Sequence, residues 1–274
     1  MIVSVDAGNS EVKTVSAHGV DRFPSAIGEY RERNIKEKHG KDDIVYEYEG
    51  RKGFAGTLAL YESEYGGAIM GESKAHLDAK LRVLIALHRL GASNAYDLVV
   101  NQPISKHDDA EKAAIRAMLI GEHSIIVNGW KKSFRIKDVI IVAEGGASFW
   151  SAPRMGIMRI IDVGGGTVNC ATFNNKRFID RDSFTLPFGL NTVKNADPNE
   201  LVRGVVTQTS KKWNPSDIIY VVGGAAKVLA PLFAQYYPNA LEVKPKFQQK
   251  EEDSIFANAV GSFAIGSALY AKRN

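Results

Sequence analysis

The chain alternates short apolar runs with longer stretches in which apolar residues recur every three or four positions. The short runs are bounded by glycine, proline or polar residues and predict buried strands at 44–48, 97–101, 124–128, 133–136, 139–143 and 218–222. The longer stretches predict helices at about 73–91, 108–120, 199–213 and 256–269, with Ser73 as the cap of the first. Strands that alternate with helices predict an α/β fold with a largely parallel sheet, whose ligands collect at the carboxyl ends of its strands.

One strand-turn-strand pattern occurs twice. The segments MIVSVDAGNSEVKTVSAHGVDRF (1–23) and RIIDVGGGTVNC (159–170) align without a gap at an offset of 156 (162 − 6), which pairs Asp6 with Asp162. For either segment alone, an ordinary glycine hairpin with a surface aspartate is an open alternative. The recurrence favours a duplicated unit and therefore two domains, at 1–152, with a small inserted subdomain at about 24–71, and at 153–274.

The glycine-bearing tips of the two hairpins predict a phosphate-binding cleft. Their backbone amides can donate hydrogen bonds to the β- and γ-phosphates of a nucleotide, and Lys13 adds positive charge. A third segment, VVGGAAK (221–227), ends a strand and opens a helix whose free amides favour phosphate, although a tight helix cap is the alternative. The residues expected to bind the nucleotide are Asp6, Gly8, Asn9, Ser10, Lys13, Gly164, Gly165, Gly166, Thr167, Gly223, Gly224 and Ala225.

Three carboxylates are expected at strand ends that face this cleft. Asp6 and Asp162 offer hard oxygen ligands, through water, for the Mg²⁺ that accompanies a nucleotide such as ATP or GTP. Glu144 follows the strand at 139–143 and can position an attacking water, the role on which phosphoryl transfer depends. Glu144 and Asp162 are therefore the predicted catalytic residues, and Asp6 and Asp162 the predicted metal ligands.

Composition excludes several other classes of protein. The 274 residues carry a formal net charge of only +4, and the basic clusters are short and separated, so direct nucleic-acid binding is not expected. The single cysteine, Cys170, cannot form an intramolecular disulfide, which favours a reducing cytoplasm. No leader segment and no apolar run of bilayer length are expected, and the histidines show no metal-binding spacing.

Five motifs, taken together, resemble those of the actin, sugar kinase and heat-shock chaperone ATPase superfamily. They are VDAGNSEVK (5–13), AEGGA (143–147), IIDVGGGTVN (160–169), VVGGAAK (221–227) and NAVGS (258–262), in the family order. Within the superfamily, the run at 98–119 is most similar to the plasmid-segregating bacterial actins of the ParM group. The resemblance implies an actin-like ATPase fold with two RNase H-like halves around a nucleotide cleft, and a final helix at about 256–270 that packs back toward the first half.

The same resemblance implies a function. Proteins of this group hydrolyse ATP or GTP, assemble with themselves into filaments and reach a centromere-like plasmid site through a DNA-binding adaptor protein, without a membrane. One departure concerns the 61 positions (223 − 162) between Asp162 and Gly223, which a hairpin and one helix nearly fill. The lid subdomain that actins place here is therefore expected to be missing, as in the plasmid-segregation actin AlfA, and the base and ribose contacts stay unassigned.

Two alternatives stay open beside the filament-forming ATPase. The N-terminal string from Asp6 to Lys13 also resembles the start of type III pantothenate kinases, which share the fold, although the chain has no GADR-like stretch and the insertion at 24–71 suits an actin better. A purely structural role would make Glu144 and both aspartates incidental.

Overall fold

The computed structural model describes residues 1–68, 73–91, 93–193 and 197–272. Its strands are β1 Ile2–Ala7, β2 Glu11–Ser16, β3 Gly19–Pro24, β4 Ile27–Glu29, β5 Asp43–Tyr48, β6 Arg51–Gly56, β7 Ala95–Gln102, β8 Gly121–Val127, β9 Trp130–Ala143, β10 Ile157–Val163, β11 Val168–Asn174, β12 Arg177–Phe178, β13 Phe184–Leu186, β14 Ile218–Val222, β15 Ala240–Glu242, β16 Lys246–Phe247 and β17 Lys250–Glu251. Its α-helices are α1 Thr57–Glu62, α2 Leu77–Leu90, α3 Asp109–Leu119, α4 Gly146–Phe149, α5 Pro198–Thr209, α6 Ala226–Phe233 and α7 Ala257–Ala271.

The strands form two principal sheets, each with its own hydrophobic core. The larger sheet has the order β3-β2-β1-β7-β9-β8-β5-β6-β4, and the smaller has the order β12-β11-β10-β14-β15 with β13 beside β11. The parallel pairs join β1, β7 and β9 in one sheet and β10, β14 and β15 in the other, and the remaining pairs in the two sheets are antiparallel. The prediction of a largely parallel sheet is therefore wrong, because the short hairpin turns can join only antiparallel neighbours.

The predicted duplication is visible in the strand register. Asp6 lies opposite Lys13 in the β1–β2 hairpin, and Asp162 lies opposite Asn169 in the β10–β11 hairpin. Each aspartate is followed by a glycine turn at the carboxyl end of a parallel strand. The two hairpins therefore place equivalent residues at equivalent ends of the two sheets.

Two local predictions are wrong. The strands predicted at 133–136 and 139–143 are one strand, β9, because the polar pair between them is satisfied by neighbours: Lys137 forms an ion pair with Asp97 (2.9 Å) and Asp138 with Arg116 (2.6 Å). Ser73 does not cap α2. The His76 side chain accepts from the Ala79 amide instead (3.3 Å), while the Ser73 hydroxyl donates to Glu111 (2.5 Å).

The predicted insertion is part of the larger sheet. Strands β4 to β6 of the insertion pair with one another and, through β5, with β8, so they extend the larger sheet. The end of the predicted insertion, 69–71, lies outside the described residues.

Between Asp162 and Gly223, the described part of the chain contains β11, β12, a 3₁₀ turn at Asp180–Asp182, β13, α5 and β14. No lid subdomain occurs in that part.

Helix α7 packs on the larger sheet although it follows the strands of the smaller one. The Ser4 hydroxyl donates to the Ala259 carbonyl (2.6 Å), and the Tyr270 hydroxyl donates to the Leu98 carbonyl (3.2 Å). By length and composition alone, Ser254–Ala271 could cross a membrane, contrary to the expectation from sequence, but 56% of it is buried inside the protein. This share of burial is typical of the core helix of a soluble protein, so the apolar run is weak evidence for a span.

Candidate functional site

One cleft collects the carboxyl ends of the central strands from both sheets. Its volume is about 650 Å³, including the part open to solvent, which is the size of a small-molecule site. The residues that line it are Asp6, Gly8, Asn9, Ser10, Glu11, Lys13, Lys74, Glu144, Asp162, Val163, Gly164, Gly165, Gly166, Thr167, Leu190, Gly223, Gly224, Ile255 and Asn258. The structure thus brings together every predicted site residue except Ala225, which lies at the start of α6 and does not line the cleft.

The tips of the two duplicated hairpins touch across this cleft. A side chain at Gly165 would clash with the Ser10 hydroxyl, and one at Gly166 would clash with the Asn9 side-chain amide, so either substitution would push a side chain of the first tip aside. The Asn191 side chain reaches from the second half and donates to the Ser10 hydroxyl (2.9 Å), while its backbone amide donates to the Gly165 carbonyl (2.8 Å). The two hairpin tips are therefore held against each other, in a closed conformation of the cleft.

The cleft holds buried charges of both signs. Asp6, Glu144 and Asp162 are carboxylates, Lys13 and Lys74 are amines, and all five are at least nine-tenths buried. The Lys13 amine lies 2.8 Å from the Asp6 carboxylate. Although burial lowers the pKa of Lys13, the Asp6 carboxylate and the more distant Asp162 and Glu144 raise it above its ordinary value. Lys13 is therefore partnered within its own hairpin.

Lys74 approaches the cleft from the segment that precedes α2. Its amine donates to the Ala7 carbonyl (3.2 Å) and to the Asn9 side chain (3.3 Å), and it lies 3.9 Å from Glu144 Oε1. Burial lowers the pKa of Lys74 and raises that of Glu144, and the attraction between the two groups opposes both shifts without cancelling them. An anionic ligand beside Lys74 would offset part of the cost of burying its charge.

Two asparagine amides hold the two predicted catalytic carboxylates. Asn169 donates to Glu144 Oε2 (2.9 Å), and Asn258 donates to Asp162 Oδ2 (2.8 Å). Burial raises the pKa of Asp162 to about 7, and the Glu144 and Asp6 charges act in the same direction, against the Asn258 amide, which lowers it. One oxygen of each carboxylate is thus held by a neutral donor.

Sequence patterns missed Lys74 as a site residue and did not single out Asn258. Lys74 follows a glycine-rich stretch of sequence, where no periodicity marks a residue as buried. Asn258 offered one signal, since it is an amide at the start of an apolar helix, within the motif at 258–262. Leu190 and Ile255 line the cleft as apolar residues and carried no signal of their own.

The residues present fit a magnesium–nucleotide better than a bare metal ion. Within the described ranges, no group of three or more His, Cys, Asp or Glu side chains is arranged to hold a metal. Mg²⁺ commonly takes one or two carboxylates and completes its coordination with water and phosphate oxygens. Asp6 and Asp162 suit that pattern, and the three buried carboxylates outnumber the two buried lysines, so a polyphosphate would enter more readily with a divalent cation.

Comparisons with known proteins, by family model and by structure, agree with each other on the type of fold. Residues 4–146, just over half of the chain, match the family model of the N-terminal domain of actin like proteins. No curated protein sequence matches. Solved structures do match along the full fold, at low sequence identity.

Three solved structures illustrate the likeness. An AlfA filament bound to AMPPNP has a TM-score of 0.81 at 19% identity, over 100% of this chain and 98% of that one. A 15-stranded ParM filament from Clostridium botulinum has a TM-score of 0.76 at 18% identity, over 97% and 99%. Ta0583, an archaeal actin homolog, in complex with ADP has a TM-score of 0.75 at 19% identity, over 100% of both chains. With its actin-like fold and its family match, the chain belongs to the actin-like proteins.

Proposed function

We propose that this protein binds ATP or GTP with Mg²⁺ in the cleft, hydrolyses it and assembles with itself into cytoplasmic filaments that segregate plasmid DNA. One observation carries the proposal: two duplicated glycine hairpins, each beside a buried aspartate, face one cleft together with Glu144 and two lysines. Such an arrangement suits a polyphosphate held from both sides. The domains at 1–152 and 153–274 are proposed to close around it.

Each charged residue has a distinct task in this proposal. Backbone amides of the two tips hold the phosphates, and the Lys74 amine, which lies between the first tip and Glu144, neutralises the terminal one. Asp6 and Asp162 would hold Mg²⁺, which when bound neutralises phosphate charge. Because the Lys13 amine is paired with Asp6, its contribution is to hold that carboxylate in place beside the first tip.

Glu144 is proposed to position the attacking water. Asn169 holds its Oε2 atom, so Oε1 is the oxygen that lies toward Lys74 and can accept a hydrogen bond from water. The raised pKa of Glu144 makes its carboxylate a better proton acceptor than an exposed glutamate. Asn169 lies in the second half and Glu144 in the first, so this contact requires a closed cleft.

Assembly into filaments is supported by the fold neighbours, since the AlfA and ParM structures described above are filaments. The proposed partners are other copies of the same chain and a DNA-binding adaptor that links the filament to centromere-like plasmid DNA. Direct binding of nucleic acid is not part of the proposal, given the net charge of +4, and neither is binding of a membrane.

High-speed sedimentation tests the proposal. The purified protein should pellet and form filaments in electron micrographs when Mg²⁺ and ATP or GTP are present, and phosphate release should accompany assembly. The same samples should be assayed for phosphorylation of pantothenate. A protein that stays monomeric and phosphorylates pantothenate would instead be a small-molecule kinase, which is the alternative from sequence.

A further inference from the structure

Asn258 connects the two predicted catalytic carboxylates. It lies in the first turn of α7, is 7% exposed and lines the cleft. Its Nδ2 atom donates to Asp162 Oδ2 (2.8 Å), and its Oδ1 atom accepts from the Gly145 amide (3.0 Å), which directly follows Glu144 in the chain. One side chain therefore contacts Asp162 and the backbone that carries Glu144.

The two partners fix the orientation of the Asn258 amide. The Gly145 N–H can only donate, so it requires the Asn258 Oδ1 atom and leaves Nδ2 toward Asp162, whose ionised carboxylate accepts. If the amide were rotated by half a turn, oxygen would face oxygen at Asp162 and N–H would face N–H at Gly145. Both hydrogen bonds would be lost together, so a single orientation of the Asn258 amide serves Asp162 and Gly145 at once.

The bond to Asp162 crosses between the halves of the molecule. Helix α7 is fastened to the larger sheet, where the Ser262 hydroxyl donates to Asn101 (3.1 Å), and Gly261 packs closely on the Ala147 carbonyl. Asp162, in contrast, ends β10 of the smaller sheet. Asn258 and Gly145 thus lie on elements that are tied to the larger sheet by these contacts, while the carboxylate that Asn258 holds belongs to a strand of the smaller one.

We propose that Asn258 is a positioning residue that couples Asp162 to Glu144 across the cleft. When the halves close, its amide holds the Asp162 carboxylate and at the same time fixes the turn that aims Glu144. When the halves open, the hydrogen bond from Asn258 to Asp162 breaks. The Asn258 amide is then held at one end only, so it constrains the turn at Gly145 less. The coupling deepens the proposed hydrolysis, on which it rests, because it makes the alignment of Glu144 depend on the position of Asp162.

Two substitutions separate the two ends of the amide. Asn258→Ala removes both contacts, whereas Asn258→Asp keeps an acceptor for the Gly145 amide but places a second carboxylate against Asp162. Either variant should lower kcat by about 10- to 100-fold, the range seen for residues that orient ligating groups. In the nucleotide-free protein, hydrogen exchange at the Gly145 amide should accelerate in Asn258→Ala and stay slow in Asn258→Asp.

Ser262→Ala is the matched control. It removes a buried hydrogen bond of the same helix without touching either carboxylate, so it should lower the Tm but leave kcat and Gly145 exchange unchanged.

A double-mutant cycle of Asn258→Ala with Glu144→Gln adds a second criterion. If Asn258 acts through Glu144, Asn258→Ala should lower kcat by less than about threefold in the Glu144→Gln background, because coupled sites are not additive.

The outcomes distinguish this inference from the proposed function. If the unaltered protein releases no phosphate from Mg²⁺–ATP or Mg²⁺–GTP, the proposed function fails and the coupling fails with it. If the unaltered protein hydrolyses nucleotide but both Asn258 variants keep its kcat, or if their losses add fully to that of Glu144→Gln, the coupling alone is overturned.

Discussion

At the scale of single residues, the site is defined by charges that are buried before any ligand binds. Glu144 and Lys74 are 3.9 Å apart and each is shifted toward its neutral form, while Asp162 holds its proton to about pH 7. Burying charges without full compensation costs stability. Such cost is typical of functional sites, where a ligand supplies the missing partner.

Replacing Glu144 by Gln should separate hydrolysis from binding. The amide can still accept from Asn169 but is a poor proton acceptor, so kcat should fall by about 100-fold or more while the nucleotide Kd changes by less than about threefold. Phosphate release and equilibrium titration measure the two effects. The exposed Glu122→Gln serves as a control, and equal kcat in both variants would remove Glu144 from the mechanism.

Replacing Lys74 by Met should weaken binding of the triphosphate. Met keeps the buried stem but removes the cation, and a charge-assisted hydrogen bond is worth about 1.5–3 kcal/mol, or about tenfold or more in Kd. Titration of the Mg²⁺-loaded triphosphate analogue measures the change. Lys112→Met on α3 is the control, and an unchanged Kd for Lys74→Met would show that Lys74 does not contact phosphate.

Replacing Asp162 by Asn should change how stability depends on pH. The folded protein keeps a proton on Asp162 up to about pH 7, whereas the unfolded chain releases it near 3.8, so the folded state loses stability as pH rises between these values. A neutral amide avoids this loss. In EDTA without nucleotide, the variant should melt about 3 °C or more above the unaltered protein at pH 8.

The difference in Tm between Asp162→Asn and the unaltered protein should disappear near pH 4. A difference that is the same at pH 4 and pH 8 would contradict the raised pKa. With Mg²⁺ and nucleotide present, the order should reverse, because the variant lacks a predicted metal ligand and gains less stability from the ligand.

At the scale of secondary-structure elements, close approach of backbones sets the geometry of the site. Helix α7 brings Asn258 to the cleft only because Gly261 lets it pack against the backbone of α4. A side chain at Gly261 would clash with the Ala147 carbonyl, which cannot rotate away. At Gly266, the clash would be with a methyl group of the Val99 side chain rather than with backbone.

Gly261→Ala should therefore destabilise the protein more than Gly266→Ala. Helix propensity alone would make either change stabilising by about 1 kcal/mol, while overpacking costs about 1–3 kcal/mol where the neighbour cannot yield. Thermal melting of both variants measures the balance. A Tm for Gly261→Ala equal to or above that of Gly266→Ala would show that α7 and α4 can separate freely.

At the scale of the whole molecule, the halves meet through polar contacts at the cleft, through α7 and through an apolar cluster in which Phe149 stacks on Phe173. The contacts include Asn191 with Ser10 and Asn169 with Glu144. A nucleotide held by both hairpin tips would add contacts to each half at once. A ligand bound to only one half would add contacts to that half alone.

Binding of a non-hydrolysable Mg²⁺–triphosphate should therefore protect both tips, 8–10 and 164–167, from hydrogen exchange. At about 100 times its Kd, the ligand should add about 2.7 kcal/mol of stability. Exchange measured by mass spectrometry in monomeric, dilute protein distinguishes the cleft from a filament contact. Protection of one tip alone would contradict a site shared by the two halves.

The sequence by itself determined the repeated units and the types of residue that they carry. The match of Asp6 to Asp162, the glycine tips and Glu144 at a strand end depend on local patterns of burial and turn residues, and these patterns are legible because a strand or turn is formed by neighbours in the chain. The bounds of β5, α3, β14 and α7 were predicted within a few residues for the same reason.

Only the tertiary structure decided which distant groups complete the site. Lys74, Asn191 and Asn258 reach the cleft because separate elements converge there, and nothing in their local sequence reports which carboxylate or hydroxyl they will meet. The mixed order of the larger sheet likewise follows from long-range strand pairing. Local pattern specifies the elements, whereas the shifted pKa values and the cross-cleft bonds arise from burial, which exists only after packing.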